Sequence, residues 1–386
     1  MTTLAIVAAR RTPFGRFRGK LAALSPVDLA VAAGRVALEG IDPAAIDQVI
    51  LGNVLAAGHG MNIARQVGMG LGLPLETPAY TVNMMCASGL QAVLLAAQAI
   101  RAGDARAVLC GGTESMSQSP LLVKRPLSGE TATVEHAVDS MQRDGLVDTF
   151  SGRSMADTVE DLASELGISR GAQDAFALRS QQRYAAALAA DRFRDEIVPV
   201  AGLDVDEHPR PQVTLKSLSE MKPFVRPTGS ITAGTSSGVN DGAVILVLAD
   251  GDWARARGWP VLAELELGLA VGCEPVRMGL GPVAAVRSIL QQLHAKLTDF
   301  DTVELNEAFA AQALACLKEL GATADGCPII NPDGGAIAIG HPIGASGARV
   351  LAHLVWRIAR GESRRAIAAL CVGGGMGIAV ALRKPA

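Results

Sequence analysis

Residues 87 to 104, written above residues 345 to 362, reveal an internal repeat: Ala-Ser-Gly recurs at 87–89 and 345–347, Ile100 falls on Ile358, Gly103 on Gly361 and Asp104 on Glu362. Each copy is followed by an apolar segment of strand character, ARAVLCGG at 105–112 and AIAALCVGGG at 366–375, that ends in glycines. A repeated unit of loop, helix, glycine stop and buried strand implies two similar α/β halves, each with a loop entering a helix at its Ala-Ser-Gly. The expected fold class is therefore a layered α/β protein.

Local patterns agree with that reading. LAIVAA at 4–9 and QVILGNVL at 48–55 have the continuous apolar character of strands buried on both faces. Between them, residues 26–39 carry Leu, Val and Ala at helical spacing, with Ser25 placed to cap and Pro26 at the first helical position. Residues 117–230 are richer in charge and proline and read as an insertion. Helices are expected there at 157–166 and 171–190, whereas DEHPRPQ at 206–212 is an extended turn, because Pro209 and Pro211 forbid regular structure. The 42 glycines and 3% aromatic residues suit close packing of small side chains.

Composition narrows the function classes. Lys plus Arg number 35 and Asp plus Glu 38, a net charge of -3 without long runs of one sign, so the basic footprint of a nucleic-acid binder is missing. No stretch reaches the ~18 uninterrupted apolar residues of a membrane span. The start, MTTLAIVAARRTPFG, has its basic pair after the apolar run, the reverse of a secretory signal, and is not Arg/Ser-rich like a transit peptide; the expected location is the cytoplasm. The six cysteines form no C-x-x-C pair and do not stand at metal-ligand spacing beside the six histidines, against a disulfide scaffold or structural zinc.

Four segments carry chemistry. In TVNMMCASGL, 81–90, Cys86 lies at a strand-to-helix junction, where the helix dipole and free backbone N–H groups favour thiolate; a buried structural cysteine is the plain alternative. In NPDGGAIAIGHPIGASG, 331–347, His341 sits in a glycine-rich loop where an imidazole can act as base to a nearby thiol; a hydrogen-bonded turn histidine is the competing reading. ALCVGGGMG, 369–377, delivers Cys371 into consecutive glycines, including Gly373, whose N–H groups can hold an oxyanion. ELNEAFAAQA, 304–313, has Asn306 and Glu307 opening an Ala-rich helix, with Asn306 either an N-cap or an amide aimed at a reaction centre. No G-x-G-x-x-G fingerprint, Walker loop or G-x-S-x-G elbow is present.

Together these motifs resemble the thiolase family, in particular acetyl-CoA acetyltransferase-like enzymes, along nearly the whole chain. RTPFGRFRGKLA, GGTESMS, QDAFALRSQQR, DEHPRP, TAGTSSGVNDGA and MGLGPV add to the four segments above, in family order. The resemblance implies two βαβαβαββ halves: residues 1–118, completed by 241–261, and residues 262–386, with 119–240 as an inserted loop domain that holds coenzyme A. It implies Cys86 as the nucleophile that becomes a thioester, His341 as its base and Cys371 as the second acid/base, acting at the α-carbon. Asn306, through a water, and His341 would form one oxyanion site; the N–H groups of Cys86 and Gly373 would form the other. Leu146, Met155, Arg210, Ser217, Ala233, Ser237, Met278, Ala308 and Phe309 fall where relatives contact CoA, with Arg210 suited to the adenosine phosphate.

The implied reaction is reversible Claisen condensation of two acyl-CoA molecules, or thiolysis of a 3-ketoacyl-CoA, with acetoacetyl-CoA as the short-chain case. It needs no metal or organic cofactor, since coenzyme A and acyl-CoA are substrates, and it brings the expectation of a homo-oligomer, tetramer or dimer. Two departures bear on the substrate: Ser154-Met155-Ala156 stands where short-chain relatives usually read His-Met-Gly, and Thr235-Ser236-Ser237-Gly238 where they read Asn-Ala-Ser-Gly. DGLVDTF at 144–150 resembles the short-chain biosynthetic type, whereas QDAFALRSQQR and DEHPRP recur in degradative enzymes acting on 3-ketoacyl-CoA or β-ketoadipyl-CoA. The competing readings are a condensing enzyme fed by a carrier protein, which usually has a second catalytic histidine where this chain has Asn306, and a non-catalytic acyl-CoA or lipid carrier.

Overall fold

Eight consecutive residues of β1 (Leu4–Arg11) are apolar until the closing arginines, and the strand is buried on both faces, which requires helices above and below it. The computed structural model describes residues 2–125, 131, 133–322 and 329–385; Cys327 lies outside them. After β1 come β2 (Gly15–Arg16), β3 (Gln48–Gly52), β4 (Ala79–Val82) and β5 (Ala107–Ser115). β6 (Leu121–Leu122) and β7 (Val138–Asp139) pair in the insertion, and β8 (Asn240–Asp250) follows it. β9 (Ala263–Gly272), β10 (Thr302–Leu305), β11 (Ile329–Ile330), β12 (Arg365–Val372) and β13 (Met376–Arg383) complete the sheet.

The strand order is the repeat written in three dimensions. One half runs β4-β3-β5-β8-β1 and the other β11-β10-β12-β13-β9, joined by a short antiparallel contact between β1 and β9. In both halves the first two pairings are parallel and the next two antiparallel. β8, which follows the insertion, lies between β5 and β1 and so belongs to the first sheet.

Helices fill the faces. α1 (Pro26–Ala37) and α2 (Ile63–Gly70) cover the outer face of the first half, and α3 (Ser88–Ala102) its inner face. The insertion holds α4 (Met155–Glu165), α5 (Arg170–Ala189) and α6 (Leu215–Ser219), while α7 (Gly251–Ala256) follows β8. α8 (Gly281–Gln292) covers the outer face of the second half, followed by α9 (Ala310–Glu319), α10 (Ala336–Ile339) and α11 (Ile343–Ala359). α3 and α11, the two repeat helices, touch each other and form a middle layer against both half-sheets. Strand β8 shows the cost of this arrangement in sequence: Val244, Leu246 and Leu248 face the middle layer, and Ala243, Ile245, Val247 and Ala249 face α1.

Most boundaries follow the local signals. α1 begins at the expected cap: Ser25 accepts from the Asp28 N–H, and the Asp28 carboxylate accepts from the Ser25 N–H. α4 and α5 start within two residues of expectation, capped by Ser154 and Ser169. The strand expected over 48–55 stops at Gly52, because the N–H groups of Val54 and Leu55 turn to the Glu114 carboxylate instead of a neighbouring strand. Met85–Ala102 is long and apolar enough to cross a membrane by length and composition; its polar interruptions include Gln91 and Arg101, and it packs between the half-sheets.

A buried ionic chain ties the end of the insertion to both halves. Arg11 is fully buried and donates to Glu196 at 2.7 Å and to both oxygens of Asp206 at 2.6 and 2.9 Å. Glu196 also accepts from His353 Nδ1 at 2.9 Å, while His353 Nε2 donates to Asp333 at 3.0 Å, and Arg357 pairs with the same Asp333. With a carboxylate at each ring nitrogen, His353 is an imidazolium, its pKa raised to about 9 against the opposing effect of burial. A folded-state value above the ~6.5 of an unfolded histidine gives stability that is complete below pH 6.5 and lost as pH rises through 9. Thermal unfolding should therefore fall by ~3–5 °C between pH 6.5 and 9.5, and His353→Gln, less stable throughout, should lack this alkaline decline. A native Tm flat across that range would refute the charged state.

Candidate active site

The loop before α3 is held in an unfavourable shape by its own polar groups. Asn83 Oδ1 accepts from the Met85 N–H at 2.9 Å, and Met85 has φ +49°, a left-handed conformation costing ~1–3 kcal/mol for a residue with a side chain. Ser88 Oγ accepts from the Met84 N–H at 2.9 Å and donates to the Met85 carbonyl at 2.7 Å. The result is that Cys86 stands out at the mouth of the helix, with part of its surface open.

Opposite it, the hairpin between β12 and β13 turns through Gly374 and Gly375, φ +83° and +85°. The Gly373 N–H and the N–H of Cys86 itself lie near the Cys86 sulfur and favour its charged form. Those donors do not prevail. Burial pushes the Cys86 thiol up to about 11, and the nearby Glu114 charge adds to the rise. The thiolate expected from the helix dipole is thus not the resting state, and the sulfur needs a base. Cys371, in β12 opposite Gly377, is nearly fully buried, and burial followed by the neighbouring Cys86 sulfur raises its thiol well above the usual range.

His341 lines the same cavity and is the candidate base. Gly340 before it has φ +109° and packs against the side chain of Asn240, whose Oδ1 accepts from the His341 N–H at 2.9 Å. Burial and the Arg349 charge lower the imidazole to about 4, so it is neutral at physiological pH. Its Nδ1 contacts Ser346 Oγ at 2.6 Å, while buried Nε2 has no hydrogen-bond partner among the described residues.

Asn306 directly follows β10 rather than capping the next helix: α9 begins at Ala310 with Phe309 in the N-cap place. Both amide atoms of Asn306 are buried without a protein partner. Its neighbour Glu307 serves structure, accepting from Ser180, from Asn331 and from the Ile337 N–H.

Cys86, His341, Cys371 and Gly373 line a single cavity of about 430 Å³ together with Leu146, Met155, Ser237, Met278, Ala308 and Phe309. Three expected contacts lie elsewhere. Arg210 Nη2 donates to the Ala233 carbonyl at 3.1 Å, away from the lining, and the Ser217 hydroxyl donates to Thr214 within the capping box of α6. The cavity also takes Met116 from GGTESMS and Ile343 from the histidine loop, both inside recognised motifs but not singled out. Phe224 and Gln142 line it too, and no local pattern marks them. Among the described residues, no cluster of His, Cys, Asp and Glu could hold a metal ion.

Comparison with known proteins gives a consistent picture. The thiolase N-terminal domain matches residues 4–252 and the thiolase C-terminal domain residues 259–384. The acetyl-CoA acetyltransferase of Pseudomonas aeruginosa is 45% identical, covering 100% of both chains, and the mitochondrial 3-ketoacyl-CoA thiolase of Bos taurus is 41% identical over 99% of this chain and 98% of its own. Among solved structures, human mitochondrial 3-ketoacyl-CoA thiolase in complex with CoA superposes with a TM-score of 0.95 at 41% identity, covering 100% of this chain and 98% of that one.

A neutral thiol and a neutral imidazole at rest make a specific demand on reactivity. Alkylation of Cys86 by iodoacetamide should keep rising with pH through 9.5, in line with a thiol near 11. A plateau already reached at pH 7 would mean a resting thiolate.

Proposed function

The chain belongs to the thiolase family and is an acyl-CoA C-acyltransferase, and from that premise we propose that Cys86 carries the acyl group and that His341 and Cys371 divide the proton transfers. The observation that carries this reading is the convergence of both thiols, the orphan Nε2 of His341 and the Gly373 N–H on one cavity.

In the first half-reaction His341 Nε2 takes the Cys86 proton and the sulfur attacks the thioester carbonyl. The carbon–sulfur bond to CoA breaks, and the departing thiolate recovers the proton from His341. The oxyanion formed on the way lies against the N–H groups of Cys86 and Gly373, donors fixed before reaction begins. In condensation Cys371 gives its proton to His341 and takes one from the α-carbon of a second acyl-CoA. The charged imidazole then donates to the enolate oxygen, with Asn306 as the second group on that side. The carbanion attacks the Cys86 thioester, the carbon–sulfur bond breaks, and Cys86 recovers its proton from His341. Thiolysis is the same path reversed.

Around the sulfur the cavity offers Leu146, Met155, Met278, Phe309, Met116 and Ile343, and among the described residues no lysine or arginine belongs to its lining. This favours uncharged acyl groups over a dicarboxylic one such as β-ketoadipyl, whose distal carboxylate would be buried without a partner. Ser154 does not replace the imidazole of short-chain relatives in function, because its hydroxyl is spent capping α4 on Asp157. For the nucleotide end, Arg210 is supported by its half-buried position and by the like charge of Arg16 beside it; burial first and Arg16 second lower its pKa. Two guanidinium groups held near each other suit a phosphate.

The division 1–118 with 241–261, 119–240 and 262–386 remains our reading of the domains, supported by the place of β8 in the first sheet. A homo-oligomer is supported by β4, an edge strand whose surroundings expose Tyr80, Leu75 and Met61. Sedimentation should give a mass of at least two chains at micromolar concentration; a monomer would contradict it.

The deciding experiment is intact mass after brief exposure to a series of acyl-CoA molecules and then to free CoA. Native protein should gain one acyl group that CoA discharges, from acetyl but not adipoyl donors, and Cys86→Ala should gain none. Cys371→Ala should still be acylated, with condensation and thiolysis reduced by at least ~10²-fold. Equal loss of acylation in the Cys371 variant would refute the division of roles, and adducts on the Cys86 variant would refute the nucleophile.

A further inference from the structure

The repeat gives each half one serine at the same place, Ser88 and Ser346, and both are buried. In the first half Ser88 bridges Met84 and Met85 and so holds the left-handed turn that presents Cys86. In the second, Ser346 Oγ donates to the Pro342 carbonyl, four residues back, at 2.8 Å. A hydroxyl has a single hydrogen, so while that hydrogen is given to the Pro342 carbonyl the 2.6 Å contact with His341 Nδ1 is a bond in which Nδ1–H donates. The hydrogen bond made by one ring nitrogen decides the tautomer, which leaves Nε2 as a bare lone pair. That nitrogen is the buried atom without a partner, on a side chain that lines the cavity with Cys86.

We propose that Ser346 is a positioning residue for the acyl transfer, holding His341 in the one tautomer whose Nε2 can take the Cys86 proton. The role rests on the acyl-transfer reading above. The backbone of His341 is held independently through Asn240, whose Nδ2 donates to the Gly15 carbonyl at 2.8 Å, so the ring would stay in place while its tautomer is released. The serine of the repeat thus serves the nucleophile in one half and its base in the other.

The chain has six histidines, so ¹⁵N-histidine labelling of the native protein is tractable, with the His341 signals identified by their loss in His341→Asn. At pH 7 the native protein should show Nδ1 protonated and Nε2 unprotonated. Ser346→Ala should mix the two tautomers and slow acylation of Cys86 by ~10–10²-fold, with the KM for acyl-CoA changed less than twofold. Ser346→Thr, which keeps the hydroxyl, should restore both signals and rate. Ser88→Ala should leave the His341 nitrogen signals as in the native protein, even if it disturbs the Cys86 turn. A native protein with Nε2 protonated would overturn the proposal, as would a folded Ser346→Ala with unchanged signals and acylation within twofold. The nitrogen signals need no turnover, so failure of the tautomer is distinguished from failure of the acyl-transfer reading, which shows as no adduct on native protein with any donor.

Discussion

The carboxylate of Glu114 sits on the seam between the halves and decides how they meet. It accepts from the N–H groups of Val54 and Leu55, from Asn53 Nδ2, and from the Gly344 N–H in the first turn of α11. Burial pushes this carboxyl up to about 7 while those four donors pull it down. A negative group at the start of a helix is favoured by the helix dipole, and here the helix comes from one half and the carboxylate from the other. The fit around it is tight: a Cβ at Gly112 would lie 2.1 Å from the Gly344 carbonyl. The loop bearing His341 is thereby placed over the loop bearing Cys86.

The two repeat helices use their N-termini differently. At α11 the first-turn N–H meets the Glu114 carboxylate and is satisfied within the fold. At α3 the N–H groups of Ala87 and Ser88 are taken by the Met84 and Met85 carbonyls, and the turn so closed carries Cys86, neutral at rest, beside Gly373 of the hairpin. One terminus therefore joins the halves, and the other closes the turn that carries Cys86. The same division runs through the buried polar groups. Glu307 and His353 have their partners inside the protein, whereas the Asn306 amide, which is not in the cavity lining, and His341 Nε2 find none among the described residues.

Much of the site was legible because its residues lie in short segments where local signals coincide: Cys86 before Ala-Ser-Gly, His341 among glycines, Cys371 at the end of an apolar strand. Signals of this kind do not report burial. The helix dipole pointed to a Cys86 thiolate, yet desolvation outweighs two N–H donors, and Asn306, which reads equally as a cap, proves to stand just after a strand and four residues before the helix. Arg210, Ser217 and Ala233 came from resemblance alone and lie outside the cavity lining. Phe224 and Gln142 join the lining from the insertion, where nothing in their neighbours announces it.

By itself the sequence determined the repeat, the buried character of strands such as β8, the capped start of α1 and the identity of the two thiols and the imidazole, since each depends on residues close together in the chain. Only the tertiary structure decided that β8 returns across the insertion to the first half, that α3 and α11 share one layer, and that the resting thiol is protonated. It also decided which nitrogen of His341 meets Ser346 and which is left without a partner among the described residues. Those outcomes depend on contacts between residues far apart in sequence and on how much water they exclude, and neither is encoded in any local pattern.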